Sequence, residues 1–378
     1  MTEDSLQDRE AADPGAAISR YEDRDRPALL EFRRDHYGRG TERADPAYVD
    51  WQFRQAPQAG ALGAPLHVAR QGGRIVGALG MVRTSLVVDG QPWPAVWVLD
   101  FAVRKELRRS GIGEALGRAS RAERATRLVM EAATPTRGIL RRAEYHALGD
   151  VPLFVRPIDP ATLLRARGVP SALASLSSAV LPPLAALDAL ALRAARREQV
   201  ELVETAAFDE RADSLFAALS HVYPVLCRRD RAWLEWRFQR YPEEGRYRLH
   251  WLFRKAEAVG YAVLRSGTHH GARSGVLVDY LCRPGLVPAL LARCLERFRA
   301  SGAAVACCLH LNPFAAAAFR ALGFFRRSSG WPFLIRPESD AVPAAVRDPR
   351  KWFLTAGDAN VDRDREDGVP TPARPGAT

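Results

Sequence analysis

A chain of 378 residues with 47% hydrophobic and 26% charged residues has the length for two or three domains and the balance of a globular protein, which excludes a disordered or fibrous class. The formal net charge of +11 comes almost wholly from arginine, since only Lys105, Lys255 and Lys351 are lysines. The arginines form no tail and no block, so the excess reads as composition and no nucleic-acid partner is expected. Five cysteines in a chain this long make no disulfide framework.

In chain order, residues 1–17 are polar, lack an apolar run of signal type, and read as a disordered tail. Helices are expected at Arg26–His36 and Pro46–Arg54, then strands at Leu66–Arg70, Arg74–Arg83 and Ala95–Val103. A helix over 111–127, a strand over 128–133, a second helix over Arg137–Leu148 and a closing strand ahead of Arg156 follow. The Ala/Leu-rich stretch 160–198 is expected to be helical in pieces and packed against a domain. Its longest uncharged run, Val169 to Leu187, is interrupted by Pro170, Pro182 and Pro183, so no membrane span is expected and a cytoplasmic location is the default.

The second half then repeats the first. Asp50-Trp51-Gln52-Phe53 is echoed by Glu235-Trp236-Arg237-Phe238, and Leu99-Asp100-Phe101 by Val278-Asp279-Tyr280. Pro152-Leu153-Phe154-Val155-Arg156-Pro157 is echoed by Pro332-Phe333-Leu334-Ile335-Arg336-Pro337. The anchors stay about 180 residues apart throughout, a spacing that marks tandem units. Strands followed by helix, strand, helix and strand describe an α/β fold of the α+β type: two tandem domains, each a mixed, mostly antiparallel sheet flanked by helices. The expected divisions are a domain over 18–159, a connector over 160–198, a second domain over 199–340 and an extension over 341–378 that is disordered at its end. Within that extension, Trp352 to Asp358 interrupts the polar tail with apolar residues and is expected to dock on a domain.

One motif carries chemistry. After the strand ending at Val103 comes Arg108-Arg109-Ser110-Gly111-Ile112-Gly113, an Arg-x-x-Gly-x-Gly pattern at a strand-to-helix junction. Glycine there lets backbone approach a phosphate, and the amides and dipole of the helix start favour an anion. Asp100-Phe101-Ala102-Val103 followed by this pattern resembles the acetyl-CoA signature of the GNAT (Gcn5-related N-acetyltransferase) superfamily. The resemblance implies that Arg108, Arg109, Ser110, Gly111, Ile112 and Gly113 hold the CoA pyrophosphate, and that Phe101, Ala102 and Val103 face pantetheine and the thioester.

It implies further that Tyr145, four residues before Gly149 on the last helix, protonates the departing thiolate. Asp100 is the candidate base and Glu131 the second choice, although Asp279 at the matching place in the second copy also suits a structural Asp100. The second copy lacks the glycine pattern and has Phe319 where the tyrosine would stand, so it resembles a degenerate domain. The expected function is transfer of an acyl group, most simply acetyl from acetyl-CoA without any metal, to the amine of a small molecule such as an amino sugar. Asp35 to Glu42 is the stretch suited to line the acceptor pocket. A CoA-binding sensor without turnover, an aminoacyl or longer-acyl transferase, and a scaffold that binds no CoA remain as alternatives.

Overall fold

The structure is a computed structural model and describes residues 15–58, 63–130, 134–177, 181–359 and 361. The N-terminal half runs β1 (Ala17–Arg20), α1 (Arg26–Tyr37), α2 (Pro46–Phe53), β2 (Leu66–Gln71), β3 (Arg74–Val88), β4 (Gln91–Val103), α3 (Ile112–Ala119), β5 (Thr126–Met130), α4 (Thr134–Arg142) and β6 (His146–Pro157). The connector supplies α5 (Pro160–Ala166), α6 (Ser171–Leu176) and α7 (Leu181–Arg197). The C-terminal half runs β7 (Val200–Thr205), α8 (Arg211–Leu219), β8 (Val225–Cys227), α9 (Arg231–Leu234), β9 (Arg248–Arg254), β10 (Glu257–His269), β11 (Ala272–Cys282), α10 (Val287–Ala300), β12 (Val305–Leu311), α11 (Ala316–Ala321), β13 (Phe325–Arg336) and β14 (Trp352–Thr355). The expected tails fall outside the described residues, except that Gly15 and Ala16 are described and Ala17 opens β1.

Local chemistry fixes the boundaries. Asp45 accepts from the Ala47 amide (2.8 Å) and Pro46 opens α2, while Asp230 accepts from the Trp233 amide (3.0 Å) to open α9. Asp89 and Gly90 both take positive φ, at 48° and 80°, the conformation that a tight turn between the antiparallel β3 and β4 requires. The predicted helix over 111–127 is shorter than expected. α3 ends at Ala119 and a 3-10 turn at Ser120–Ala122 leads into β5, because Thr126 and Arg127 are drawn into pairing with Ala95 and Val96.

The mixed sheet has the order β1-β2-β3-β4-β5-β13-β6-β12-β11-β10-β9-β7, so both halves share one continuous sheet. Each closing strand lies in the other half. β13 pairs with β5 from Phe333↔Met130 to Arg336↔Arg127, and β6 pairs with β12 from Val305↔Pro157 to Leu309↔Leu153. β6 and β13 are antiparallel neighbours at the centre. The exchange buries both proline-bracketed segments on two edges and ties the halves into one core.

Trp51 and Trp236 mark the same relation, stacked at 4.8 Å between ring centroids and 12° between planes. Around the sheet, α1 and α2 pack with Leu29, Phe32 and Phe53 on one face of β2 and β3, and α3 and α4 pack with Ile112, Leu116 and Leu140 on the other. The connector is docked as expected. Arg156, fully buried, donates to Asp188 of α7 (2.8 Å), and Leu184 closes over Gly323. No helix among the described residues is long and apolar enough to cross a membrane.

Candidate acyl-CoA site

The site is built where β4 leaves its neighbour. The parallel strands β4 and β5 pair only at Ala95↔Thr126, Val96↔Arg127 and Trp97↔Leu128. Beyond Trp97, β4 keeps its ladder with β3 but pairs with no other strand among the described residues, so a cleft opens on that side. A bulge opposite Leu79 bends β4 there, and Asp100 takes φ 49° within it. Phe101, Ala102 and Val103 therefore follow a bend beside an open edge.

The chain then makes a 3-10 turn at Lys105–Leu107 and reaches α3 through two left-handed residues, Arg109 (φ 71°) and Gly111 (φ 87°). Gly111 is the N-cap, a position where its lack of Cβ is required by the backbone. The first amides of α3, those of Ile112, Gly113 and Glu114, have no intrahelical acceptor by their position. Gly113 has a different reason for being glycine. A Cβ there would lie 3.2 Å from Ile139 Cδ1 and 3.4 Å from Phe101 Cζ, so its place is set by close packing of α3 on β4 and α4. Ser110 Oγ is engaged within the turn, donating to the Leu107 carbonyl (2.7 Å). Arg108 and Arg109 are exposed. The field of Arg108 is felt by His36 of α1, whose pKa is lowered first by burial and then by Arg108, Arg43, Lys105 and Arg104.

The candidate catalytic residues are placed differently: Asp100 is turned away from this cleft, whereas Tyr145 shares a hollow with Val98 and Phe101 of β4. Asp100 faces α1 and α2, its side chain only 1% exposed. It accepts from Arg33 (3.0 Å) and from Gln52 Nε2 (2.9 Å), with Arg43 at 3.8 Å. A carboxylate held by two guanidinium groups and an amide is an anchor between sheet and helices rather than a base with access to an incoming proton. Asp279 has the same standing, bound by Arg229 (3.3 Å) and Tyr261 (2.7 Å). Glu131 lies outside the described residues.

Tyr145 requires a correction. It is not on a helix: α4 ends at Arg142, Glu144 takes a left-handed φ of 64°, and the Tyr145 amide donates back to Leu140 (3.1 Å). The second copy repeats this ending with Gly323 at φ 74° and the Phe324 amide donating to Phe319 (3.0 Å). The counterpart of Tyr145 is therefore Phe324, and the residue four before the helix stop is Leu140 in the first copy and Phe319 in the second. Gly149, which suggested the motif, sits within β6.

Tyr145 lines a small hollow with Val98 and Phe101 of β4, Gly117 of α3, Ile139 of α4 and Arg127, so it stands beside the segment expected to face the thioester. The glycine loop stands at the N-terminal end of the eight-residue α3, a helix about 12 Å long at 1.5 Å per residue. Burial pushes the Tyr145 hydroxyl up to about 12 against the pull of Arg127, Arg336 and Arg121, so it stays protonated at neutral pH.

On the α1–α2 side, an open concavity of about 520 Å3 is lined by Arg34, Asp35, Arg39, Gly40, Thr41 and Glu42, with Glu31 and Asp45 at its border. It contains the stretch expected to receive an acceptor. Asp35 pairs with Arg104 (3.0 Å), the residue that directly follows β4, which ties the concavity to the mouth of the cleft. The missed features of the site are Arg33, Gln52 and Arg43: the two arginines show only charge in the sequence, and Gln52 appeared only as part of a repeat anchor. The five cysteines are all buried and free, and among the described residues no group of three or more His, Cys, Asp or Glu side chains could hold a metal ion.

No family model and no curated protein matches the chain. Its architecture is shared with solved structures. A GCN5-related N-acetyltransferase from Anabaena variabilis aligns over 86% of this chain and 73% of its own, with a TM-score of 0.59 and 11% identity. One from Kribbella flavida aligns over 88% and 72%, at 0.55 and 13%. The Saccharomyces cerevisiae N-myristoyltransferase, solved with bound myristoyl-CoA, aligns over 85% and 82%, at 0.52 and 11%. The chain has the fold of the GCN5-related N-acetyltransferases, in a length that accommodates both of its related halves.

Proposed function

We propose that the N-terminal half binds an acyl-CoA and transfers its acyl group, acetyl in the simplest case, to the amine of a small molecule entering from the concavity beside α1. The parting of β4 from β5 next to the left-handed loop at Arg109 and Gly111 is the observation that carries this reading. The loop residues fit a pyrophosphate. They offer the free first amides of α3, the positive end of its dipole and two exposed arginines, on a segment whose other cations already bias His36 toward neutrality. The bent segment Phe101 to Val103 offers backbone amides along the open edge, suited to a thioester carbonyl as its oxygen gains charge.

The bound thioester supplies an activated carbonyl carbon. The amine nitrogen attacks it, a C–N bond forms, the C–S bond breaks with its electron pair on sulfur, and the proton lost by nitrogen passes to solvent. The protein's contribution is positioning, amide donation and, from Tyr145 beside Phe101, a proton for the departing sulfur. A panel of amines with acetyl-CoA, read by free-thiol release, tests this, and thiol appearing with at least one amine but not without it supports transfer. The buried pairing of Asp100 with Arg33 and Gln52 favours a second reading, a CoA-binding sensor, and acetyl-CoA binding without thiol release from any amine would select it.

A further inference from the structure

We propose that the cleft of the C-terminal half is also a binding site, and that its ligand is the chain's own segment Trp352–Asp358. The two clefts are built alike. β11 and β12 pair in parallel only at Ser274↔Val305, Gly275↔Ala306 and Val276↔Cys307, then part as β4 and β5 do. Into this second opening runs β14. It forms two antiparallel pairs with β12, at His310↔Thr355 and Leu311↔Leu354, and the Ala356 amide donates to the Leu309 carbonyl (3.1 Å). The next amide, that of Gly357, donates across the gap to the Val278 carbonyl of β11 (3.1 Å). The segment thus bridges both lips of the cleft, as a bound molecule would.

Side chains complete the fit. Thr355 Oγ1 donates to Asp279 Oδ1 (2.6 Å), Arg237 donates to the Gly357 carbonyl (3.0 Å), and Asp358 pairs with buried Arg229. Gly357 is the point of closest approach, where a Cβ would fall 2.9 Å from Asp279 Cβ and 3.0 Å from Phe238. Asp279 is the counterpart of Asp100. In the first half that carboxylate is held by Arg33 and Gln52 of the helices, whereas in the second it is committed in part to the entering segment.

The entry route also has a counterpart. Before the cleft, Trp352 and Phe353 pair with Val225 and Leu226 of β8, and the residues one repeat earlier, 40–42, line the open concavity of the N-terminal half. The segment therefore fills, in the second half, both places that the first half leaves open. The inference stands whether or not the first half turns over acyl-CoA, because its test uses none.

A protease site placed at the exposed Asp340 of the full chain allows the tail to be cut after folding. The cut tail is expected to stay bound through gel filtration, and a labelled peptide of residues 344–361 in excess is expected to replace it. The same peptide carrying Gly357→Val should compete at least about tenfold more weakly. Unfolding on cleavage, or a cut tail that no peptide replaces, would make the segment an integral strand and overturn the proposal, as would equal competition by the Gly357→Val peptide. In the uncut chain, hydrogen exchange at Ala356 and Gly357 should be slow, and exchange as fast as that of the surface turn at 340–342 would also overturn it.

Discussion

Trp51 and Trp236 stand face to face, and each donates its indole N–H to the other's backbone carbonyl, at 2.7 and 2.9 Å. A contact in which residue i meets j exactly as j meets i is the signature of a two-fold relation, here between halves of one chain. Together with the exchanged β6 and β13, it makes the halves mutually dependent. Trp236→Leu should cost about 3–5 kcal/mol, the range for losing a large buried aromatic. Urea unfolding followed by far-ultraviolet dichroism should remain a single transition, and two separate transitions would contradict the shared core.

The left-handed backbone at Gly111 makes a clean test of the loop. Gly111→Val places a β-branched side chain at a positive φ and sets bulk beside the first amides of α3. Acetyl-CoA affinity should fall by about tenfold or more, corresponding to about 1.4 kcal/mol. The melting temperature of the ligand-free protein should also fall, since a β-branched residue at this φ costs about 1–3 kcal/mol, so affinity is compared well below that temperature. Equal affinity in an isothermal titration there would remove the loop from the site.

Tyr145→Phe should lower turnover by about 10²–10⁴-fold, the loss that removing a general acid brings. Its ring lies in the hollow beside Phe101, and its hydroxyl is held protonated. Asp100→Asn should act differently, destabilising the fold by about 3–5 kcal/mol because Arg33 loses its buried partner. Thiol-release kinetics well below the melting point of each variant would check both, and turnover within about threefold of wild type in Tyr145→Phe would remove it as the acid.

His310 predicts a pH dependence. It is fully buried between Phe154 and Phe319, neither ring nitrogen has a hydrogen-bond partner, and burial pushes its pKa down to about 3. The unfolded chain binds this proton near pH 6.5 and the folded chain does not, so stability is lost as pH falls from about 6.5 toward 3, at up to about 1.4 kcal/mol per unit. His310→Phe fills the same aromatic slot without a polar atom. It should flatten the acid slope of the melting temperature and raise stability at pH 7, and an unchanged slope would show that the imidazole does not titrate on unfolding.

The repeat was legible because its anchors are large and rare: tryptophan followed by phenylalanine, and strands bracketed by proline. The strand expected at Leu66–Arg70, observed as Leu66–Gln71, followed from a run of strand-forming residues, which is local. The exchange of β6 and β13 was not legible, since a strand's sequence sets its faces but not which edge it joins. The end of α4 was hidden by Glu144, which takes the left-handed stop that Gly323 announces in the other half. A glycine five residues further on then suggested a motif that the backbone does not make. The docking of residues 352–358 was visible as an apolar interruption, but its place between two parted strands depends on contacts with residues as far back in the chain as Asp279 and Arg229.

The central claim is that each chain holds one acyl-CoA, gripped by the backbone between Arg108 and Gly113, while the second cleft is closed by the tail. Isothermal titration of the full chain with acetyl-CoA measures this most directly. One saturable site per chain, weakened by Gly111→Val, is the predicted result, and either two sites or no heat at millimolar acetyl-CoA would contradict the account.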